Sequence, residues 1–553
     1  MINKIGRSNL KPHSRQGSAL LAVLVIVAML SLAAYSYSEV MLSEYEAAIR
    51  TERMTESRLL ADSGVEWTMS VLSLTSSEEP LDLFNNPEQF HKILVQSATE
   101  ERPAGYFSVV APVTGSSSET GVRFGLRNES AKINLNALAN SGLTEDELRF
   151  FLTGIPAMTE SVADAILDWI DADTEVRLYG AESEVYANLF SSRTPKNAPL
   201  LSLDELLGVD GVTASLLYGE DTNRNGLLDP SEDDAGASEP FDNADGVLDA
   251  GWSDYLTVTS RENNLRLDDS PKIPLNTNTL TDLYDQLDEE FGEQVATFVV
   301  AYRIFGPSNR DEFDVTPTGL SGGDSTELSL DDQQLLDELA EGIADSIENG
   351  GSVTRNGMDL SKGGKYVIRS LYDLIGAEVE ADMEGGEQLL ISPWSSDAGS
   401  LLTAFPIMDE AFGVSENPTI EGRININEAR FETLMGIPTM SEETASAIVS
   451  AASQMSVGNP NPDLVATRST NSWILAEGIV DLETMRQLDP FITAGGDILT
   501  AQVVGYFGRT GISTRLQVTI DASVSPPKLL SISDYSRLGP GYSLYDWQQE
   551  LNE

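Results

Sequence analysis

From Ser18 to Ser38 the chain carries no charged residue, and Glu39 ends the run. At ~1.5 Å rise per residue, a helix of that length crosses the ~30 Å hydrocarbon core of a bilayer. Lys4, Arg7, Lys11 and Arg15 lie ahead of it, followed by Gly17. An ordinary secretory signal has its small-residue cleavage site after the apolar core. Here the glycine comes first, so a cut after Gly17 removes the basic leader (1–17) and leaves the helix (18–38) on the mature protein. An uncleaved signal anchor fits the same basic flank. Beyond the apolar run, Met41, Tyr45, Ala48, Leu60, Trp67 and Val71 recur at roughly helical spacing among charged residues, so the helix is predicted to continue outside the membrane over 39–75.

A chain of 553 residues is expected to hold roughly three to four domains. Its 88 acidic against 34 basic residues give a net charge of −54, which disfavours nucleic acid and anionic lipid as partners and favours divalent cations. The absence of cysteine excludes thiol catalysis, thiolate metal sites and disulfides. His13 lies in the leader and His91, in "PEQFHKILV", reads as part of a helix face. A zinc enzyme or Ser/His hydrolase therefore has one candidate histidine and no visible partners for it. The chain is not expected to be an enzyme.

The layout of residues 1 to about 75 resembles the class III leader and N-terminal helix of type IV pilins and type II secretion pseudopilins. The resemblance implies that prepilin peptidase cuts between Gly17 and Ser18, with methylation of the new N-terminus. Most members of that family have glutamate at the fifth mature position; here that position is Ala22. In such assemblies the glutamate is a counter-ion for a neighbouring subunit's N-terminal amine in an apolar filament core, where an unpaired charge is costly. A subunit without it suits the end of a filament. That absence, with "KINLN", "ILDWIDAD" and "GAESEVY", is similar to the minor pseudopilin K family, general secretion pathway protein K.

Segments "GYFSVVAPV" and "GVRFGLRNES" read as strands near the start, and Asp497 to Ser536 as three more near the end. Between them an echo recurs: "GIPAMTESVADAIL" from Gly154 and "GIPTMSEETASAIV" from Gly436, each after an "IN[LI]N" start at Ile133 and Ile424, with a looser copy at "IPLN" from Ile273. Second half-motifs follow at Leu200–Val212, Val367–Val379 and Asn471–Val480. The predicted class is α+β: a long pilin-like transmembrane helix packed on a small antiparallel sheet, with a large inserted α-helical domain of helix-hairpin-helix-like (SAM-like) repeats. The expected division is 76–130 for the first part of the body, 131–495 for the repeats and 496–553 for the closing strands. The stretch from about 315 to 420 reads as extra repeat sequence with no clear counterpart in the family.

DNA-binding hairpins use glycines so that backbone amides approach a phosphate. The equivalent positions here are Ala157 and Thr159, and Thr439 and Ser441, followed by Glu160 and Glu442. A structural or protein-docking role is expected instead. "DTNRNGLLDPSE" fits the twelve-residue calcium loop: Asp221, Asn223 and Asn225 at positions one, three and five, Gly226 at the turn, Leu227 through its carbonyl, Asp229 at nine and Glu232 at twelve. "DNADGVLDAGWSD" is a poorer second candidate. Asn243, Asp245 and Asp249 fit positions three, five and nine, and Asp242 or Asp254 replaces the carboxylates missing at the Phe241 and Trp252 positions. Calcium is also implied by the family resemblance, in a structural role.

The resemblance thus implies a minor pseudopilin with a single pass through the bacterial inner membrane and its bulk in the periplasm, at the tip of a pseudopilus and acting in its initiation or capping. The implied partners are other minor pseudopilins, the pseudopilus and prepilin peptidase. Alternatives are a minor type IV pilin and a membrane-anchored DNA-uptake receptor.

Overall fold

The structure, a computed structural model, describes residues 16–74, 82–99, 102–112, 122–188, 194–237, 240, 242–309, 354–455, 462–508, 512–544 and 547. Most of the leader, the "TGSSSET" turn and Phe241 therefore lie outside the described residues.

A single helix, α1 (Gln16–Leu74), contains Gly17, Ser18 and Ala22 in its first two turns. Among the described residues it is the one helix long and apolar enough to cross a membrane. Residues 20–52 are exposed throughout, a bare stalk of ~50 Å. Burial starts at Ser57 and follows the helical period through Leu60, Ala61, Val65, Thr68, Val71 and Leu72. The sequence stripe thus divides. Met41 and Tyr45 face nothing in this chain, whereas Leu60 and Val71 pack on the sheet, each burial contributing roughly 1.5–3 kcal/mol. Trp67 stays at the margin, its indole N–H donating to the Gln89 carbonyl at 3.0 Å.

The sheet has seven antiparallel strands: β1 (Ile93–Gln96), β2 (Gly105–Pro112), β3 (Val122–Arg123), β4 (Arg127–Asn128), β5 (Ile498–Phe507), β6 (Ser513–Asp521) and β7 (Lys528–Asp534). Their order is β1-β2-β5-β6-β7, with β3 on β2 and β4 on β5. The central β5 is buried along its whole length, because α1 covers one face and the C-terminal segment with Tyr542 and Trp547 the other. One expectation is corrected here: "PEQFHKILV" is not one helix face. Asn86 caps a single turn over Pro87–Phe90, Lys92 takes a left-handed φ of 52°, and the β-prone Ile93–Gln96 pairs with β2. His91 stacks on Phe124 with ring centroids 3.9 Å apart.

Three repeats fill the space between β4 and β5. Each opens with a two-residue strand and closes with a parallel one: Ile133–Asn134 with Leu256–Thr257, Ile273–Pro274 with Phe412–Gly413, and Ile424–Asn425 with Ile492–Thr493. A parallel pair needs a long crossover, which the helices provide. Two residues beyond each opening strand stands an asparagine. Asn136 donates to the carbonyls of Leu200 (2.9 Å) and Val258 (2.7 Å) and accepts from the Leu200 amide (2.7 Å). Asn276 does the same with Ile368 (2.8 and 2.9 Å) and Val414 (2.9 Å). Asn427 donates to Arg468 (2.9 Å) and Ala494 (2.7 Å), but its Oδ1 finds no donor among the described residues.

These bonds explain the shared "N" of the three motifs and set the extent of each copy. Residues 354–414 belong to the second repeat, with a strand hairpin (Glu378–Met383 with Gly386–Ile391) and a helix (Ala398–Ala411), so this part is not an additional unit. The second half-motifs are also smaller than expected. In copies one and two they are 3-10 turns, opened by the capping boxes Ser202/Glu205 and Ser370/Asp373. Their anchors Leu206 and Leu374, with Ile474 in the third copy, are fully buried.

Candidate functional site

The first hairpin joins helices Glu145–Thr153 and Glu160–Ile170, and the third joins Phe431–Met435 and Glu442–Ala452. Ala157 (φ 59°) and Thr439 (φ 69°) take the left-handed turn positions although neither is glycine. Thr159 and Ser441 cap the second helices through the amides of Val162 and Thr444. The glycine of the third-copy Gly-Ile-Pro has another cause. A Cβ on Gly436 would lie 2.5 Å from the Phe151 carbonyl oxygen, whereas one on Gly154 would make ordinary contact with the Gly436 backbone at 3.4 Å, so the two hairpins meet at these residues and only Gly436 has no room for a side chain.

Behind the first hairpin, "ILDWIDAD" and "GAESEVY" fold into a buried acidic knot. Asp164 accepts from Arg149 Nε at 2.9 Å and from the Tyr179 amide at 3.0 Å. Asp168 and Asp171 share one guanidinium, that of Arg177. Gly180 leaves room for the Asp168 carboxylate: a Cβ there would sit 2.0 Å from Oδ2 and push it from its place. Glu182 is 6% exposed and its Oε1 has no donor among the described residues. Burial, reinforced by the charges of Asp168 and Asp171, pushes its pKa above the ordinary carboxylate range. Burial likewise raises Asp168 and Asp171 in spite of Arg177. With folded values above the unfolded ones, the contribution to stability is full below the ordinary carboxylate pKa and is lost as pH rises through the folded values. Glu182→Gln is therefore expected to raise the melting temperature at pH 7–8 and to flatten its decline from pH 4 upward. A calorimetric scan against pH checks this, and an unchanged slope would contradict it.

The two acidic loops lie back to back. Gly219 (φ 58°) ends the helix Ala214–Tyr218, and a Cβ there would be 1.9 Å from the Asp249 carbonyl oxygen. Both loops bend in the same way: Arg224 and Gly226 have φ of 59° and 71°, Ala244 and Gly246 of 61° and 73°. Asn225 Oδ1 accepts from the Leu227 amide at 2.7 Å, and Asp245 Oδ1 from the Val247 amide at 2.8 Å.

In the first loop Asp221 accepts from the amides of Asn225 (3.0 Å) and Gly226 (2.9 Å). Glu232 accepts from Thr222 (2.9 Å), Asn223 (3.4 Å) and Asp229 (3.1 Å), and Asp229 from the side-chain amides of Asn223 and Asn225. Among the described residues, Asn223 Oδ1 is buried without a donor. Burial, with Glu232 beside it, pushes the Asp221 carboxyl up to about 6. An all-oxygen donor set, an orphaned amide oxygen and a strained carboxylate fit a hard divalent cation. Among the described residues no three Asp, Glu or His side chains are gathered so as to hold a metal by themselves. A cation here would have to rely on the asparagine and carbonyl oxygens as well.

The second loop contains a residue that the linear motif misses. Glu220 accepts from the amides of Asn243 and Asp249 at 3.4 Å each, as Glu232 does from the corresponding Asn223 and Asp229 in the first loop. Glu220 thus takes the twelfth-position role from 29 residues upstream of Asp249, while Trp252 is buried with its indole donating to Pro156 at 2.9 Å. Asp242 caps the amides of Ala235 and Ala244, and Asp249 that of Gly251. Asp254 turns away from the loop and lies between Arg127 (2.9 Å) and Arg430, tying the first and third repeats to the sheet. Burial pushes its pKa up, but the two guanidinium groups outweigh this and hold it below the usual range.

Residues 131–218, the first repeat up to the loops, match the family model described as type II secretion system (T2SS), protein K. No curated protein matches the sequence. Among solved structures the chain is similar to a chain of the GspK-GspI-GspJ complex from the enterotoxigenic Escherichia coli type 2 secretion system. Identity is 11%, coverage 88% of this chain and 99% of that one, and the TM-score 0.35.

Proposed function

Starting from a protein K domain of type II secretion at residues 131–218, we propose that this chain is a minor pseudopilin that works at the tip of a pseudopilus, in its initiation and capping. The observation that carries the reading is the placement of that domain. It is inserted into a sheet held on the outer half of α1, while residues 20–52 of the same helix are bare. A bare apolar helix is a surface for the membrane and then for other pilin-like helices; the other minor pseudopilins are the proposed partners. Ala22 leaves no carboxylate for a neighbour's amine, and the broad head prevents addition of a subunit above it.

In this reading prepilin peptidase cuts after Gly17, the new N-terminus at Ser18 is methylated, and the head lies in the periplasm. The role is assembly rather than catalysis. Calcium would be held by Asp221, Asn223, Asn225, Asp229, Glu232 and the Leu227 carbonyl, neutralising clustered carboxylates; the second loop, with Glu220, is a further candidate. A DNA-uptake receptor is disfavoured by the mutual packing of the first and third hairpins at Gly154 and Gly436. Mass spectrometry of the protein from native membranes is expected to show an N-methylated end at Ser18. An intact Met1 would overturn the pseudopilin reading.

A further inference from the structure

The first acidic loop is held from outside by the sheet. The carbonyls of Asn223 and Arg224 accept from Arg515 and Gln502, and the Tyr542 hydroxyl lies 3.3 Å from the Asn225 carbonyl. Asn225 also donates through Nδ2 to the Gly541 carbonyl. Gln502 Oε1 in turn accepts from Arg515 Nη1 (3.3 Å) and the Tyr542 hydroxyl (2.8 Å), so the three side chains form one cradle. Gln502 is on β5 and Arg515 on β6, far in sequence from the loop. Beside the cradle the two parts separate: a cleft of about 1120 Å³ runs between them, with Asp204 and Tyr218 on one wall and Gln517, Thr519 and Ser533 on the other.

Charge points the same way. Arg515 is fully buried, and its bonds go to neutral oxygens rather than to a carboxylate. The loop brings three carboxylates, Asp221, Asp229 and Glu232, and one guanidinium, Arg224, which is turned to Asp204 outside the loop at 3.5 Å and is offset there. A divalent cation leaves one negative charge, which Arg515 balances; without the cation the excess remains in a poorly solvated place.

We propose that cation binding in the Asp221–Glu232 loop and docking of the inserted repeats on the sheet are one coupled equilibrium, with Gln502, Arg515 and Tyr542 as positioning residues. This rests on the reading of the loop as a cation site. By linkage, the factor by which docking tightens cation binding equals the factor by which the cation tightens docking. The cradle fixes the backbone at the third and fifth loop positions, so releasing it costs affinity although no ligand is removed.

The test is calcium titration by calorimetry on the full chain in detergent, wild type against Tyr542→Phe. That change removes the hydroxyl and keeps the ring, which stacks on Trp547. Calcium affinity is expected to fall about fivefold to tenfold, the scale of one lost hydrogen bond. Hydrogen exchange on the wild type adds a measurement free of mutation: calcium is expected to slow exchange at Arg515 and at Gly541–Tyr542 as well as in the loop. Unchanged affinity with protection confined to the loop would overturn the coupling and leave the cation site standing. Failure of the wild type to bind calcium would overturn both.

Discussion

Gly505→Ala is expected to lower the melting temperature of the full chain in detergent, by the equivalent of about 3 kcal/mol. An added Cβ would lie 2.3 Å from the Ser57 carbonyl oxygen and 2.4 Å from the Ala61 nitrogen, both backbone atoms of α1. A side chain can rotate away from such an approach; a helix backbone has to move bodily. The helix is pressed in from its own side too, since a Cβ on Gly64 would meet Val503 Cγ1 at 2.5 Å. Gly495→Ala is the control, because nothing lies within 4 Å of its Cβ position. If the two variants melt together, the close approach of helix and sheet is not what limits stability.

The second large effect is expected at the asparagine staples. Asn276→Ala removes three hydrogen bonds and strands the Ile368 amide and two carbonyls, a loss of about 3 kcal/mol. Amide exchange should rise through residues 273–305 and 366–414 and much less in the first repeat. Asn427→Ala should cost less, because only its two donor bonds are there to lose. Equal losses at Asn276 and Asn427 would contradict this ranking.

What could be read in advance was local. The apolar run, β2, the three closing strands and the three repeat starts each show in a short window, because helical and strand periods repeat within a few residues, whereas "GVRFGLRNES" holds only the two-residue strands β3 and β4 instead of one strand. The twelve-residue loop is also a local pattern. What escaped depends on contacts distant in sequence. Asp254 looks like a loop carboxylate until Arg127 and Arg430, at separations of 127 and 176 residues, claim it. Glu220, which holds the second loop through the Asn243 and Asp249 amides, lies outside its linear motif. Gly436 in Gly-Ile-Pro looks like a turn residue, but it answers to the other hairpin. Ile93–Gln96 was hidden because the one-turn helix before it blurs the period.

The strand order also dictates when the body can close. Central β5 begins at Ile498, whereas its neighbours β2 and β4 end at Pro112 and Asn128. During synthesis α1 is in place, and half of a sheet is waiting, long before the strand that joins the halves exists. Closing a loop of that length in an unfolded chain would be slow. Here the inserted repeats leave and return at one spot: Asn128 donates to the Gly496 carbonyl at 2.8 Å, and Leu499 pairs with Asn128. Once folded, they act as a short clamp that delivers β5 directly to its gap. The head is then the template for its own stalk mount, and a chain whose repeats fail to fold is expected to keep an open sheet.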